Sequence, residues 1–245
     1  QVDIVEFLEL LKTDRPVLLD GGMGTMLQAR GLPVGATPEL VALEHPDWLR
    51  DIHTAYLDAG SQIIYANTFG ANREKLERTG RSVEEIVTAA VTVAKEAATG
   101  RGLVALDIGP CGQLLEPTGM LGFEDAVDLF AQVVRAGVKA GADLIAIETM
   151  TDLQEARAAL LAAKENSNLP VLVTMTYEAS GRTFLGCSPA AAALTLEGLG
   201  ADAVGVNCSL GPREMPPLVE ELLKWTNLPI VLKPNAGLPH PDGSG

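Results

Sequence analysis

Short apolar runs recur along the chain and alternate with longer segments in which apolar residues repeat every three or four positions. Runs of about four to eight apolar residues predict buried strands, and the longer period predicts amphipathic helices. Seven runs predict strands. They are Val17–Asp20, Gln62–Thr68, Leu103–Ile108, Ala142–Glu148, Val171–Tyr177, Ala203–Cys208 and Ile230–Pro234.

Three of the intervening segments carry an apolar stripe at helical spacing. The stripes are Ile86, Ala90, Val93 and Ala97; Ala126, Leu129, Phe130, Val133, Val134 and Val138; and Leu153, Ala156, Leu160 and Ala163. Glycines at positions 141 and 200 predict helix ends directly before strands, because glycine adopts the left-handed conformation that ends many helices.

Strands that are apolar throughout are buried on both faces, and helices between them indicate right-handed parallel crossovers. Successive units of this kind predict an α/β fold, a (β/α)8 TIM-type barrel formed by one domain, residues 1–245. A closed barrel of this type has eight strands, but only seven runs are visible. We therefore expect the last βα unit to be absent and the domain to be incomplete at its C-terminal end.

The composition agrees with this fold and limits the classes of partner that the protein could bind. Hydrophobic residues make up 47% of the chain and aromatic residues 4%, as suits a core of Val, Ile, Leu and Ala. A net charge of −14 disfavours nucleic acid and membranes as partners. No apolar run approaches the roughly 18 residues of a membrane span. Three cysteines, an odd number, favour reduced thiols in the cytoplasm over a disulfide framework.

Candidate chemistry follows from the strand ends, because sites in such barrels collect at the C-terminal ends of the strands. The polar residues at these positions predict a pocket that contains carboxylates and one thiol. They are Asp20, Asn67, Thr68, Asp107, Glu148, Cys208 and Asn235.

Each of these residues has a functional and a structural interpretation. Asp20 precedes two glycines and could hold an ammonium group, or it could simply form a turn. Glu148 could bind a ligand amine or form a salt bridge within the barrel. Cys208 could ligate Zn²⁺ or act as a nucleophile, or be a small buried residue. One thiolate does not make a zinc site, which usually takes three or four protein ligands.

Lys233 lies in the last predicted strand and opens another possibility. A buried lysine with a lowered pKa can form a Schiff base with a carbonyl substrate. The residues alone therefore also allow a Schiff-base lyase on the same barrel, and a third possibility is a non-catalytic domain that binds an amino acid.

Six ordered motifs resemble the homocysteine S-methyltransferase family, and the resemblance covers nearly the whole chain. Asn-Cys-Ser-Leu-Gly-Pro at 207–212 and Asp-Ile-Gly-Pro at 107–110 look most like the cobalamin-dependent methionine synthase branch. The motifs occupy Leu19–Thr25, Ala66–Ala71, Asp107–Pro110, Ile147–Thr149, Gly205–Pro212 and Pro234–Gly237.

The resemblance implies a (β/α)8 barrel and assigns roles to the candidate residues. It implies that Cys208 is a zinc ligand and the catalytic thiolate, and that Asp20 and Glu148 lie near the homocysteine amino group. The other two zinc ligands of the family are adjacent cysteines, and this sequence contains no such pair. The remaining substrate-binding residues that we expect are Gly21, Gly22, Asn67, Thr68 and Asn235.

The activity implied by the resemblance is a zinc-dependent methyl transfer. The homocysteine thiol would be activated as a zinc thiolate and would take a methyl group from methylcobalamin, ultimately from methyltetrahydrofolate, to give methionine. The resemblance also implies cobalamin-binding and folate-binding domains of the same enzyme as partners. We expect the chain by itself to be inactive.

Overall fold

The structure, a computed structural model, describes residues 3–208 and 210–236. Short 3₁₀ helices occupy Pro38–Leu40 and Glu77–Thr79. The α-helices of this range are α1 (Asp3–Leu11), α2 (Gly24–Ala29), α3 (Val41–Glu44), α4 (Pro46–Asp58), α5 (Arg73–Leu76), α6 (Val83–Ala98), α7 (Phe123–Ala140), α8 (Leu153–Asn166), α9 (Pro189–Gly198) and α10 (Met215–Leu223).

The strands form one six-stranded sheet in which each strand pairs in parallel with the next along the chain. Helices cross between successive strands, as expected for parallel pairing. This confirms an α/β fold consistent with a TIM-type barrel. The strands are β1 (Ile63–Tyr65), β2 (Leu103–Ile108), β3 (Leu144–Met150), β4 (Val171–Met175), β5 (Ala203–Asn207) and β6 (Ile230–Lys233).

The predicted count of seven strands is not confirmed, because the first run does not form a strand. Leu19 makes a single parallel bridge to Ile63, and the N–H of Asp20 donates to the Ile63 carbonyl at 3.0 Å. The run 17–20 therefore follows the edge of β1 for only a few residues before the chain turns away at Gly21. The expected absence of a last βα unit stays a prediction.

Alternation along the strands separates the interior of the curved sheet from its helix-covered face. Ile63 and Tyr65 of β1 pack with the inner cluster, whereas Ile64 packs with the larger cluster beneath the helices. Phe7 of α1, only 2% exposed, joins the inner cluster. The predicted helical stripes face the core, except that Val138 at the end of α7 is 37% exposed. No helix in the described part of the chain is long and apolar enough to cross a membrane.

Three strand segments begin with the same hydrogen bond, in which a side chain accepts a backbone N–H near the start of a neighbouring segment. The side chain of Asp143 accepts the N–H of Val104 at 2.7 Å, and Asp202 likewise accepts the N–H of Val171 at 2.8 Å. Gln62 accepts the N–H of Leu18 in the same way. Each of these residues follows a glycine by two positions, and that glycine has φ between 92° and 108°. The left-handed glycine ends the preceding turn and aligns the side chain with the neighbouring strand.

His53 of α4 generates a prediction about acid stability. The ring is fully buried, and neither nitrogen has a partner among the described residues. Burial lowers the pKa of His53 from 6.5 to about 4, because the charged ring would lose its hydration. The unfolded chain binds this proton near pH 6.5. The folded state therefore loses stability as the pH falls from about 6.5 to about 4, by about 3 kcal/mol in total.

We expect His53→Leu to remove this contribution, so that the free energies of unfolding by urea at pH 7.0 and pH 4.5 differ by about 2.4 kcal/mol less than in the parent protein. The same substitution at His45, which is exposed and stacked on Trp48, is the matched control. An unchanged difference between the two pH values in His53→Leu would contradict the assignment.

Candidate functional site

One cavity of about 900 Å³ lies inside the curved sheet and opens where the strands end. Every predicted site residue except Thr68 lines it. Those residues are Asp20, Gly21, Gly22, Asn67, Glu148, Cys208 and Asn235. This convergence follows from parallel pairing in chain order, because the C-terminal ends of all the strands lie at the same edge of the sheet.

The Asp20 carboxylate is buried and already forms an ion pair within the protein. One carboxylate oxygen accepts the N–H of Tyr65 at 2.8 Å, and the other accepts from the Lys233 ammonium at 3.1 Å. Burial raises the pKa of Asp20, and the opposing effects of Lys233 and the Tyr65 N–H only partly offset it. The ion pair joins residues 213 positions apart and holds β6 against the segment that precedes β1.

Asp107 and Glu148 form a second acidic group in the cavity. Burial, followed by the charge of Glu148 and a hydrogen bond shared with it, raises the pKa of Asp107 well above its usual range. A raised pKa means that Asp107 keeps its proton to a higher pH than an isolated aspartate does. The Asp107 Oδ1 and Tyr65 Oη atoms are both buried and have no partner among the described residues. These orphaned atoms mark a polar part of the cavity.

Lys233 has the opposite character to a Schiff-base lysine. Its ammonium lies 3.7 Å from the centroid of the Tyr65 ring and pairs with Asp20. Burial lowers the pKa of Lys233, but the charges of Asp20, Glu148 and Asp107 together outweigh it and raise the pKa above its usual value. A carbonyl-trapping lysine needs the neutral amine, so the geometry disfavours the lyase interpretation.

Two residues of the site have unusual backbone conformations. Thr149 has φ of 60° and Cys208 has φ of 56°, in the left-handed region that side chains other than glycine rarely adopt. The register of β3 against β4 also shifts between Ile147 and Met150, as in a β-bulge. The bulge interrupts the alternation of β3, so that both Glu148 and Thr149 line the cavity.

Asn207, at the end of β5, connects these groups. Its Nδ2 lies 3.1 Å from Glu148 Oε2, 2.8 Å from Thr149 Oγ1 and 3.4 Å from Cys208 Sγ. Its Oδ1 accepts the N–H of Thr149 at 2.9 Å. The side chain is 1% exposed. A single amide therefore sets the position of the carboxylate relative to the thiol.

The loop after the run 17–20 is shaped by close packing. A Cβ on Gly21 would lie 2.8 Å from the Tyr56 hydroxyl oxygen, so any side chain there would push Tyr56 away. The Tyr56 hydroxyl donates to the Gly22 carbonyl at 2.8 Å and holds the loop in place. Both glycines are exposed to the cavity.

The three other candidates hold loops in place. The Asn67 side chain donates to the Pro38 carbonyl at 2.8 Å, and the N–H of Asn235 donates to the Leu210 carbonyl at 3.0 Å. Thr68, expected to bind substrate, does not line the cavity. Its hydroxyl donates to the Asp107 carbonyl and accepts the Asp107 N–H, at 2.7 and 3.0 Å. The structure thus uses Thr68 to position Asp107, and its role in binding substrate stays a prediction.

A comparison with known protein families shows which family the chain belongs to. Residues 17–245 match the profile of the homocysteine S-methyltransferase family. This chain belongs to that family.

This member of the homocysteine S-methyltransferase family is similar to larger proteins. It is 31% identical to a methionine synthase of Mycobacterium leprae and 30% identical to one of Mycobacterium tuberculosis, over 94% and 96% of the chain. The chain spans 21% of the length of each relative. The metallated homocysteine methyltransferase MmuM of Escherichia coli has a similar fold, with a TM-score of 0.83 at 24% identity, over 94% of this chain and 87% of MmuM.

Only one thiol of this family member faces the cavity. The three cysteines are unpaired, in agreement with the expected reduced state, but Cys111 and Cys187 do not line the cavity. Burial raises the pKa of Cys111 to about 11 and makes its thiol unreactive. Among residues 3–208 and 210–236, no group of three His, Cys, Asp or Glu side chains could hold a metal ion. The described residues therefore do not form a complete zinc site.

Sequence reasoning did not find Asn207 or Thr149 as site residues, and it named Asp107 only as a strand end. Asn207 precedes the cysteine of a motif that resembles the family, which was the available signal. The bulge at Thr149 left no signal, because nothing in a hydropathy pattern marks a change of register.

We expect Asn207→Asp to place a second acidic side chain beside Glu148 and Cys208 and to remove the amide donor from the sulfur. Burial already raises the pKa of Cys208, and the substitution should raise it further, because an anion next to a thiol disfavours the thiolate. Alkylation of Cys208 at pH 8, followed by peptide mass spectrometry, should slow by roughly threefold to tenfold.

Asn72→Asp is the matched control, since Asn72 is a buried amide that caps α5 and does not line the cavity. Equal alkylation rates in Asn207→Asp and the parent protein would show that Asn207 does not act on the sulfur.

Proposed function

We propose that this chain is the homocysteine-binding domain of a methionine synthase, which holds the substrate so that its thiol can accept a methyl group. One observation carries the proposal: an acidic group and the Cys208 thiol meet in one cavity, connected through Asn207. Family membership supports the choice of homocysteine, whose ammonium and thiol groups match these two features.

The amino group of homocysteine would bind at Glu148. One oxygen of this carboxylate is held by Asn207, and Asp107, whose pKa is raised well above its usual range, lies beside it. An ammonium group that donates to Glu148 would also reach the buried Asp107 Oδ1, which lacks a partner among the described residues. Asp20, expected to share this role, is already paired with Lys233 and would act through that ion pair.

The thiol of homocysteine would point toward Cys208. We propose that Cys208 contributes one thiolate to a zinc ion, and that the remaining ligands are the adjacent cysteines of the family, which are not part of this sequence. A zinc ion there would keep a substrate thiol, mostly protonated when free at neutral pH, in its thiolate form. The described residues fit such an ion only in part, because Cys208 is the one thiol among them that lines the cavity.

The methyl donor that we propose is methylcobalamin on another domain, recharged from methyltetrahydrofolate. The methionine synthase relatives are almost five times as long as the matching region, which leaves room in them for further domains. The complete reaction, homocysteine to methionine in the cytoplasm, would need those domains, and we expect no turnover from the chain alone.

A non-catalytic amino-acid-binding domain is the second candidate, favoured by the single thiol in the described cavity. Calorimetric titration of the complete enzyme with homocysteine separates the two candidates. Binding that tightens when Zn²⁺ is supplied supports the methyltransferase domain, whereas binding that is indifferent to Zn²⁺ supports the second candidate.

We expect Glu148→Gln to weaken homocysteine binding by roughly tenfold to a hundredfold, because a charge-assisted hydrogen bond to the ammonium becomes a neutral one. The dissociation constant measured by calorimetry checks this. Glu155→Gln is the control, since Glu155 is a buried acid that accepts the Cys111 N–H outside the cavity. If the two variants bind homocysteine alike, Glu148 is not the ammonium site.

We expect Cys208→Ala in the complete enzyme to lose bound zinc and to reduce methionine formation by at least about a thousandfold, because the thiol would lose its activating ion. Zinc content by elemental analysis and the rate of methionine formation are the two measurements. Cys187→Ala should leave both unchanged. Retention of zinc and activity in Cys208→Ala would refute the proposed zinc site.

A further inference from the structure

Lys233 brings a positive charge into the acidic part of the cavity. Its ammonium pairs with Asp20 at 3.1 Å and faces the Tyr65 ring at 3.7 Å. The side chain is 18% exposed and lines the cavity. Asp20 uses one of the three N–H donors of the ammonium, so donors remain for a ligand.

The charges in the cavity complement a zwitterion. Asp20 and Lys233 form an ion pair, and the carboxyl groups of Glu148 and Asp107 lie beside each other in the same cavity, where an ammonium group can bind. The carboxylate of an amino acid would then need a positive partner nearby. Arg15, the other cation that lines the cavity, precedes the run 17–20 and lies toward the opposite end of the sheet. Lys233 is therefore the cation beside the site.

The glycine loop follows the aspartate that pairs with this ammonium and lines the same cavity. Gly21 and Gly22 directly follow Asp20 in the chain, and their backbone N–H groups donate to no other described residue. Both glycines are exposed to the cavity, where backbone N–H groups can approach an anion closely. An ammonium group and two free N–H donors around one space form a site for a carboxylate.

We propose that Lys233, together with the Gly21–Gly22 loop, binds the α-carboxylate of the substrate amino acid. The inference rests on the proposed function, since it assumes that homocysteine enters this cavity. It assigns Lys233 as the residue by which the site distinguishes an amino acid from a simple aminothiol.

The test compares two ligands that differ only in the carboxylate, homocysteine and 3-aminopropane-1-thiol. Calorimetry on the purified protein, at one fixed zinc concentration, gives the dissociation constant of each. The parent protein should bind homocysteine at least about tenfold more tightly. Lys233→Met should weaken homocysteine binding by roughly tenfold to a hundredfold and leave the aminothiol within about threefold. Lys233→Arg, which keeps the charge, should retain most of the preference.

Lys95→Met is the matched control, because Lys95 also pairs with a buried aspartate, Asp143, but lies outside the cavity. Its ratio of the two dissociation constants should equal that of the parent protein. The ratio is measured within one protein, so a partial loss of folded protein cancels. If Lys233→Met does not fold, Lys233→Gln and the parent protein's own preference still decide the matter.

Three results would overturn the inference. The parent protein could bind both ligands equally, or Lys233→Met could weaken both equally, which would make Lys233 a support for Asp20 alone. The third result, no binding of homocysteine by the parent protein, would refute the proposed function as well and is thereby distinguished from the first two.

Discussion

Parallel pairing of consecutive strands is the constraint on which the rest of this molecule depends. Because β1 to β6 pair in chain order and run in one direction, the residue that ends each strand arrives at the same rim. Asp107, Glu148 and Cys208 come from three different strands and still line one cavity. The side chains that open the strand segments, such as Asp143 and Asp202, hold this alignment at the opposite end.

Several carboxyl groups line this one cavity, and burying them together costs free energy. Burial of an isolated charge is expensive, so each acid needs a partner or a proton. Asp20 pairs with the ammonium of Lys233, the pKa of Asp107 is raised by burial and by Glu148, and Glu148 is held by Asn207. This arrangement gives the site polarity before any ligand arrives.

Backbone strain accompanies the thiol end of the same cavity. Left-handed conformations at non-glycine residues cost about 1–2 kcal/mol each and persist only where the surroundings impose them. Here Asn207 binds the N–H and hydroxyl of Thr149 and approaches the sulfur of Cys208, so one buried amide holds both strained residues. The thiol and the carboxylate thereby keep a fixed relation.

The sequence by itself determined the fold class, all six strands to within three residues, and polar strand-end residues that line the cavity, with the exception of Thr68. Strand periodicity and glycine punctuation are local signals that survive in a single chain. The tertiary structure alone decided that the run 17–20 forms only a bridge, that Thr68 serves Asp107, and that Lys233 is paired and not a free amine. Those outcomes depend on which side chains meet across long stretches of sequence, and a pattern along the chain carries no information about such encounters.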